Sequence, residues 1–241
     1  MPLPPLGAEQ VRVWSVRLDA DEAQLHACEA LLSADELERA RRFRRPDLRR
    51  RYSVAHALLR RVLAAELGTN GAGLRFESGP HGKPALRDWP QLRFNLSHAG
   101  DLALYALAWR REVGVDLEQA TPEVEIDPVA RQMFSADERD ALAALPLDER
   151  RQAFFRIWTR KEAYVKALGL GLAHPTRSFT VSGRAQDDDA LRHDHCLPDA
   201  PWQWRTADIA AAPGYHAALA AAGRDWAVVP MPGMLDAGTG F

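Results

Sequence analysis

An α+β fold built from two similar halves, an intramolecular pseudo-dimer, is what this 241-residue sequence predicts, and three observations carry it. Ser33-Ala34-Asp35-Glu36 returns as Ser135-Ala136-Asp137-Glu138, an offset of 102. A long helix-forming segment follows each copy and stops at a Leu-Gly pair, Leu67-Gly68 and Leu168-Gly169, an offset of 101. Late in each half comes an Ala/Leu-rich strand-like run, Leu102–Trp109 and Tyr215–Ala222. Such matched features mark an internal duplication, with an N-terminal half at 1–112 and a C-terminal half at 113–241.

Val11–Leu18 alternates Val, Trp, Val and Leu with polar residues, the period-two pattern of a half-buried strand. Ser33 opens a helix, because Glu36 three residues later completes a capping box. Over 48–67, Leu48, Tyr52, Ala55, Leu59, Val62, Leu63 and Leu67 share one helical face, and Gly68 ends it. Gly79-Pro80-His81-Gly82-Lys83-Pro84 is a loop, since glycine and proline break any periodic element. Strand patterns follow at Leu92–Leu96, Leu102–Trp109 and Val113–Glu118, and the short polar link between the last two predicts a hairpin. In the second half a helix is expected over 149–168. Asp187-Asp188-Asp189 and Pro198–Pro201 read as surface loop, and the tail from Gly233 as frayed.

Apolar residues make up 46% and charged residues 27%, an ordinary soluble profile with material for a core. The net charge of −2 conceals an asymmetry, +4 over 1–112 and −6 over 113–241. Such a division suits a protein that holds a polyanion with one part and a cation with another, though chance produces it too. Cys28 and Cys196 are the only cysteines and lack metal-ligand spacing, so neither a disulfide framework nor a zinc site is indicated. The N-terminus lacks the pattern of a secretory signal and no segment reaches 18 apolar residues, which predicts a cytoplasmic protein without a membrane partner.

The chemistry concentrates in two places. Asp116 and Glu118, in Gly114-Val115-Asp116-Leu117-Glu118, sit two apart on a predicted strand and therefore share a face. Two carboxylates held so close repel one another, and a divalent cation removes that cost; oxygen-only donors favour Mg²⁺. The pair in isolation reads first as an acidic pair at a solvated strand end. Glu162 and Lys166 are neighbours one helical turn apart, with Trp158 a turn earlier. They form either a surface ion pair worth roughly 0.3–0.5 kcal/mol, or a third metal ligand or general base beside a cation for phosphate oxygens. Between Arg39 and Arg51 lie eight arginines, whose planar forks match phosphate. Nucleic acid is the competing partner, but no aromatic-interleaved or helix-turn-helix pattern accompanies the cluster. Gly82-Lys83-Pro84 and Asn95-Leu96-Ser97-His98 add a loop open to close approach, a hydroxyl and an imidazole.

Taken in order, Gly82-Lys83-Pro84, Phe94-Asn95-Leu96-Ser97-His98, Gly114-Val115-Asp116-Leu117-Glu118 and Trp158-x-x-Lys161-Glu162-Ala163 resemble the 4′-phosphopantetheinyl transferases. The duplicated halves look like the Sfp type, not the short trimeric enzymes of the family. The resemblance implies that family's α+β fold, a monomer, and transfer of phosphopantetheine from coenzyme A to a serine of an apo acyl or peptidyl carrier protein, releasing adenosine 3′,5′-bisphosphate. It implies that Asp116, Glu118 and Glu162 hold Mg²⁺ and that Lys166 steadies the pyrophosphate. Ser97 and His98 would contact coenzyme A phosphates, and Gly82, Lys83 and Pro84 would flank the adenine. Arg39 and Arg51 fit the basic positions used for the 3′-phosphate; Glu36 stands where some members carry a lysine, and Arg42 or Arg50 could substitute. Glu162, or a hydroxide that it orients, would act as base, with Asp116 and Lys166 completing the catalytic set. Fatty-acid, polyketide and nonribosomal-peptide carriers would all suit the positive first half. A Mg²⁺-dependent phosphohydrolase and a non-catalytic binding module are the rival readings.

Overall fold

The structure, a computed structural model, describes residues 3–185, 187 and 190–231. The first half runs β1 (Gln10–Arg17), α1 (Glu22–Glu29), α2 (Ala34–Arg41), α3 (Pro46–Leu67), β2 (Phe76–Ser78), β3 (Pro84–Leu86), β4 (Leu92–Ala99) and β5 (Leu102–Trp109). The second runs β6 (Val113–Gln119), α4 (Ile126–Met133), α5 (Ala136–Ala143), α6 (Leu147–Leu168), β7 (Phe179–Val181), β8 (Leu191–Asp194), α7 (Ala200–Gln203), β9 (Trp204–Asp208), β10 (Tyr215–Ala222) and β11 (Ala227–Met231). One sheet has the order β11-β1-β5-β4 and another β6-β10-β9, so β1-β5-β4 and β6-β10-β9 are counterparts.

The duplication extends to capping and buried charge. Ser33 and Ser135 both close capping boxes with Glu36 and Glu138. The same glutamates then receive a buried cation from the following long helix, Glu36 from Arg60 at 2.8 Å and Glu138 from Lys161 at 2.8 Å. Both long helices end on a left-handed glycine, Gly68 and Gly169. Residues that alternate along β1 explain its place. Trp14 and Val16 join the core beneath α3, while Val11 and Val13 join a second core with Val113, Val115 and Leu117 of β6. The two sheets thus meet face to face and carry α3 and α6 on their outer faces. β1 is therefore buried on both faces over Val11–Trp14, more deeply than a half-buried strand.

The expected hairpin between 102–109 and 113–118 does not form. Both edges of β5 are taken by β1 and β4, so β6 pairs with β10 instead. The link through Arg110, at φ 55°, carries the chain from one sheet to the other. The hairpin that does form joins β4 to β5. β11 returns to pair in parallel with β1, so the second half places its last described strand in the first half's sheet. Pro198–Pro201, expected as loop, leads into α7, with Ala200 buried. Asp188, Asp189 and the tail from Gly233 lie outside the described residues.

Candidate active site

The site forms where α6 crosses β6, and Gly114 lets it form. A Cβ at Gly114 would stand 2.2 Å from the Ala163 carbonyl oxygen and 2.3 Å from the Ala167 nitrogen. Backbone lies on backbone there. Because strand side chains alternate, Asp116 and Glu118 project from the same face as Gly114, toward Glu162 and Lys166 on α6.

Asp116 is buried, and its Oδ1 accepts from Lys166 Nζ at 2.6 Å and from the Ser97 hydroxyl at 3.0 Å. Lys166 Nζ also donates to Ser97 Oγ at 3.0 Å. Oδ2 of Asp116 is buried without a partner. Glu118 is pushed up to about 7, by burial first and Asp116 next, with Lys166 opposing and Glu162 adding to the rise. Burial and then Asp116 also raise Glu162, against the pull of Lys166. Three mutually repelling carboxylates, one with an orphaned oxygen, are a donor set that fits a hard divalent cation. They do not close to the mutual 4.8 Å spacing of ligand atoms seen elsewhere in the chain. Among the described charges, the Lys166 ammonium is the one bonded to Asp116.

Ser97 and Asn95 reach across the seam between the halves. Asn95 Oδ1 accepts from Val115 N at 2.9 Å and Ser97 Oγ from Leu117 N at 3.2 Å. These side chains replace the ladder that β4 and β6 do not share. The Ser97 hydroxyl is thereby occupied on every side by protein.

A cavity of about 540 Å³ opens beside these groups, with Gly82, Lys83 and Pro84 on one wall and Glu162 and Lys166 on another. Gly82 has φ 87°, the left-handed region that its turn requires. The Lys83 ammonium is committed to Glu112, to the Val113 carbonyl at 3.0 Å and to the Ala167 carbonyl at 2.8 Å. It staples the loop of the first half to α6, and its aliphatic stem is what faces Gly169. His98 is exposed near the end of β4, on the face that carries Phe94 and Leu96 into the core beneath α3. The protein crowded around its ring pushes its pKa down, and so do His56, Lys166 and Arg51, which places Arg51 within reach of the same region. Arg39 is exposed beside Tyr52, which stacks on His56. Arg39, Arg51 and His98 are not part of the cavity wall that holds Gly82, Lys83 and Pro84. Of the remaining arginines, Arg42 pairs with Glu38, Arg45 with Asp47, and Arg50 with the Ala20 carbonyl. Glu36 is held well below the ordinary carboxylate range, to about 2, by His56 and Arg60 against its burial.

Sequence comparison decides the family. A family model described as the 4′-phosphopantetheinyl transferase superfamily matches residues 112–220, and one described as 4′-phosphopantetheinyl transferase, N-terminal, matches 17–110. The 4′-phosphopantetheinyl transferase HetI of Nostoc sp. is 40% identical over 179 residues, 72% of this chain and 76% of the relative. The chain belongs to the 4′-phosphopantetheinyl transferase superfamily. The transferase Sfp of Bacillus subtilis is 30% identical over 199 residues, 82% of this chain and 85% of the relative. AcpT of Escherichia coli is 42% identical over 91 residues, 38% and 47% of the two chains. Similarity to Sfp thus spans both halves of this transferase, and its activity is phosphopantetheine transfer.

Several working parts of the site carry no chemistry that a motif reading detects. Gly114 is legible only as a glycine on a strand facing a helix. Asn95 lies within a quoted motif, yet its task as a substitute backbone partner depends on a seam that sequence does not display. Trp158 stands beside Glu118, where only the folded crossing of β6 and α6 could place it.

Proposed function

We propose that this transferase moves 4′-phosphopantetheine from coenzyme A to a serine of an apo acyl or peptidyl carrier protein in a Mg²⁺-dependent reaction. The observation that carries the reading is the Asp116–Glu118–Glu162 carboxylate set with Lys166, of which Glu162 and Lys166 line a cavity whose other side is the Gly82–Pro84 loop. Asp116, Glu118 and Glu162 would hold the cation. When bound, it supplies neutralisation of the pyrophosphate and of the charge on the departing nucleotide.

The chain's own residues supply the rest. Lys166 is a cation already aimed into the site, and a pyrophosphate oxygen is a natural alternative partner to Asp116 for its three donors. Ser97 fixes the Asp116 carboxylate by hydrogen bonding and so limits where Lys166 can point. Glu162 lines the cavity, where burial and then Asp116 raise its pKa and so make it a stronger base than a free carboxylate. The carrier serine oxygen bonds to the phosphorus on the pantetheine side while the pyrophosphate P–O bond breaks. The serine proton passes to Glu162, and adenosine 3′,5′-bisphosphate leaves. The loop of Gly82 and Pro84, with the Lys83 stem, offers an apolar edge suited to an adenine. The exposed Arg39 and His98 and the half-buried Arg51 stand as candidates for phosphate contacts.

Intact-mass spectrometry of a panel of apo carriers incubated with coenzyme A, with and without Mg²⁺, tests the proposal. One phosphopantetheine added per carrier, only when Mg²⁺ is present, is the expected result. Hydrolysis of coenzyme A with every carrier left in its apo form would overturn it. The pattern across fatty-acid, polyketide and nonribosomal-peptide carriers then names the partner.

A further inference from the structure

A second cluster of metal-binding side chains lies apart from the carboxylates. His174, Asp194 and Cys196 each offer a ligand atom, all within 4.8 Å of one another. The first two are buried, their side chains 3% and 0% exposed, with His174 Nε2 at 2.8 Å from Asp194 Oδ2. Cys196 carries an exposed free thiol. Asp194 is held from three directions. Its Oδ1 accepts from the backbone nitrogens of Cys196 at 2.9 Å and Leu197 at 3.2 Å, and its Oδ2 from the Tyr164 hydroxyl at 3.0 Å. The turn that brings those nitrogens onto the carboxylate also folds the Cys196 thiol toward it.

We propose that His174, Asp194 and Cys196 form a binding site for a borderline-soft divalent cation of the Zn²⁺ or Co²⁺ kind, with its solvent side left for water. The donor chemistry separates this site from the active site. Imidazole and thiolate suit zinc and cobalt, whereas the active-site set offers only carboxylate oxygens, which suit Mg²⁺. Three protein ligands and one open position are a common zinc arrangement. A tetrahedral ion with bonds of about 2.0–2.1 Å sets its nitrogen and oxygen ligands about 3.3 Å apart. The 2.8 Å separation here therefore needs only a small opening, with the ion replacing the hydrogen bond between His174 and Asp194. Tyr164 then remains as the outer donor that orients the ligating carboxylate. His174 lines the active-site cavity and Asp194 ends β8, so an ion there would tie the cavity wall to that strand. Spacing along the chain hides the site, because His174 comes from a separate loop and is packed against Tyr164 and Phe179.

The test uses the full chain, stripped of metal with a chelator that is then removed. Cys28 is buried, so the fast-reacting thiol toward a disulfide reagent such as DTNB is Cys196. One equivalent of Zn²⁺ is expected to slow that reaction roughly tenfold or more, because a metal-bound thiolate is no longer free to attack. Millimolar Mg²⁺ should leave the rate unchanged. Co²⁺ should produce a thiolate charge-transfer band in the near ultraviolet that Cys196→Ser lacks, and Tyr164→Phe should weaken Co²⁺ binding roughly tenfold. Cys196 is exposed, so its serine variant keeps the fold, which circular dichroism verifies. A DTNB rate indifferent to Zn²⁺, or equal Zn²⁺ affinity in Cys196→Ser and the parent, would overturn the proposal and leave a buried His–Asp pair with a bystander thiol.

Discussion

Replacing Gly114 by alanine should disable the active site from beneath. The new Cβ would lie 2.2 Å from the Ala163 oxygen, 2.3 Å from the Ala167 nitrogen and 2.9 Å from the Ala167 Cα, where ordinary contact begins at 3.4 Å. All three obstacles are backbone atoms, so no side chain can swing aside. Helix α6 must lift from β6 by about 1.2 Å, the difference between 3.4 and 2.2 Å. Glu162 and Lys166 directly precede the two clashing residues and move with them. The Lys166–Asp116 bond, 2.6 Å now, would stretch toward about 3.8 Å and cease to be a hydrogen bond. Overpacking of this kind costs about 1–3 kcal/mol, which lowers the melting temperature by roughly 2–12 °C for a chain of this size. A misplacement of about 1 Å in a reacting constellation costs roughly a hundredfold in rate. Carrier loading followed by intact mass, beside thermal unfolding, measures both effects. Gly73→Ala, whose Cβ would meet nothing within 4 Å, is the control expected to change neither. If Gly114→Ala keeps parental turnover and melting temperature, α6 does not sit on β6 as described and the assembly of the site is wrong.

Other outcomes follow from the same geometry. Asp116→Ala and Glu162→Gln should each lower transfer roughly a thousandfold while leaving the circular dichroism spectrum intact; a fully active Asp116→Ala refutes the cation assignment. Glu118 has a folded pKa of about 7 against an ordinary 4.5, so the native state holds a proton that the unfolded chain has released between those values. Its contribution to stability is complete below about 4.5 and is lost as pH rises toward 7, so urea unfolding in chelator should show stability falling across that window. Saturating Mg²⁺ should flatten that slope; an unchanged slope counts against binding at these carboxylates. Lys161→Ala leaves Glu138 fully buried beside a missing ammonium, and urea unfolding should register a loss of about 3–5 kcal/mol. A loss below 1 kcal/mol would mean that the pair is not buried as described.

The parts of the fold legible in the sequence are those with local causes. Capping serines, left-handed glycine stops and helical apolar faces act within a few residues of themselves, so α2, α3, α5 and α6 stand where the pattern places them. Pairing is non-local, and local sequence does not display it. A short polar link looked like a hairpin turn because nothing in 102–118 reveals that β5 already has two partners. The quoted carboxylates were legible through residue type and the period of a strand, and Lys166 through the period of a helix. What the sequence does not display is the task of the residues that bring those elements together. Lys161 belongs to a quoted motif, yet it points away from the site into the Glu138 pair and the Phe179 carbonyl. The resemblance sets Lys83 beside a ligand, yet its ammonium is spent on the seam between the halves.

The duplication bears on how many sites the chain carries. Strand registers supply the correspondence: Trp14 lies opposite Tyr105 as Asp116 lies opposite Ala218, and Val16 opposite Ala103 as Glu118 opposite His216. The first-half counterparts of the two strand carboxylates are therefore an indole and a valine, both sealed in the core beneath α3. The helix offset makes Arg61 the counterpart of Glu162 and Ala65 that of Lys166. Where the strand of the second half gathers charge, the strand of the first fills with apolar packing, and deleting that Trp14 side chain should cost about 3–5 kcal/mol. Coenzyme A titrated calorimetrically in the presence of Mg²⁺ should accordingly bind once per chain. Two equivalent sites would show that the first half holds a nucleotide by other means. The candidate site also draws on both halves, since Ser97 and the Gly82–Pro84 loop come from the first and the carboxylates and Lys166 from the second. One half preserves the scaffold and the other the donors, so neither half alone presents both the anion-handling cation and the wall it must face.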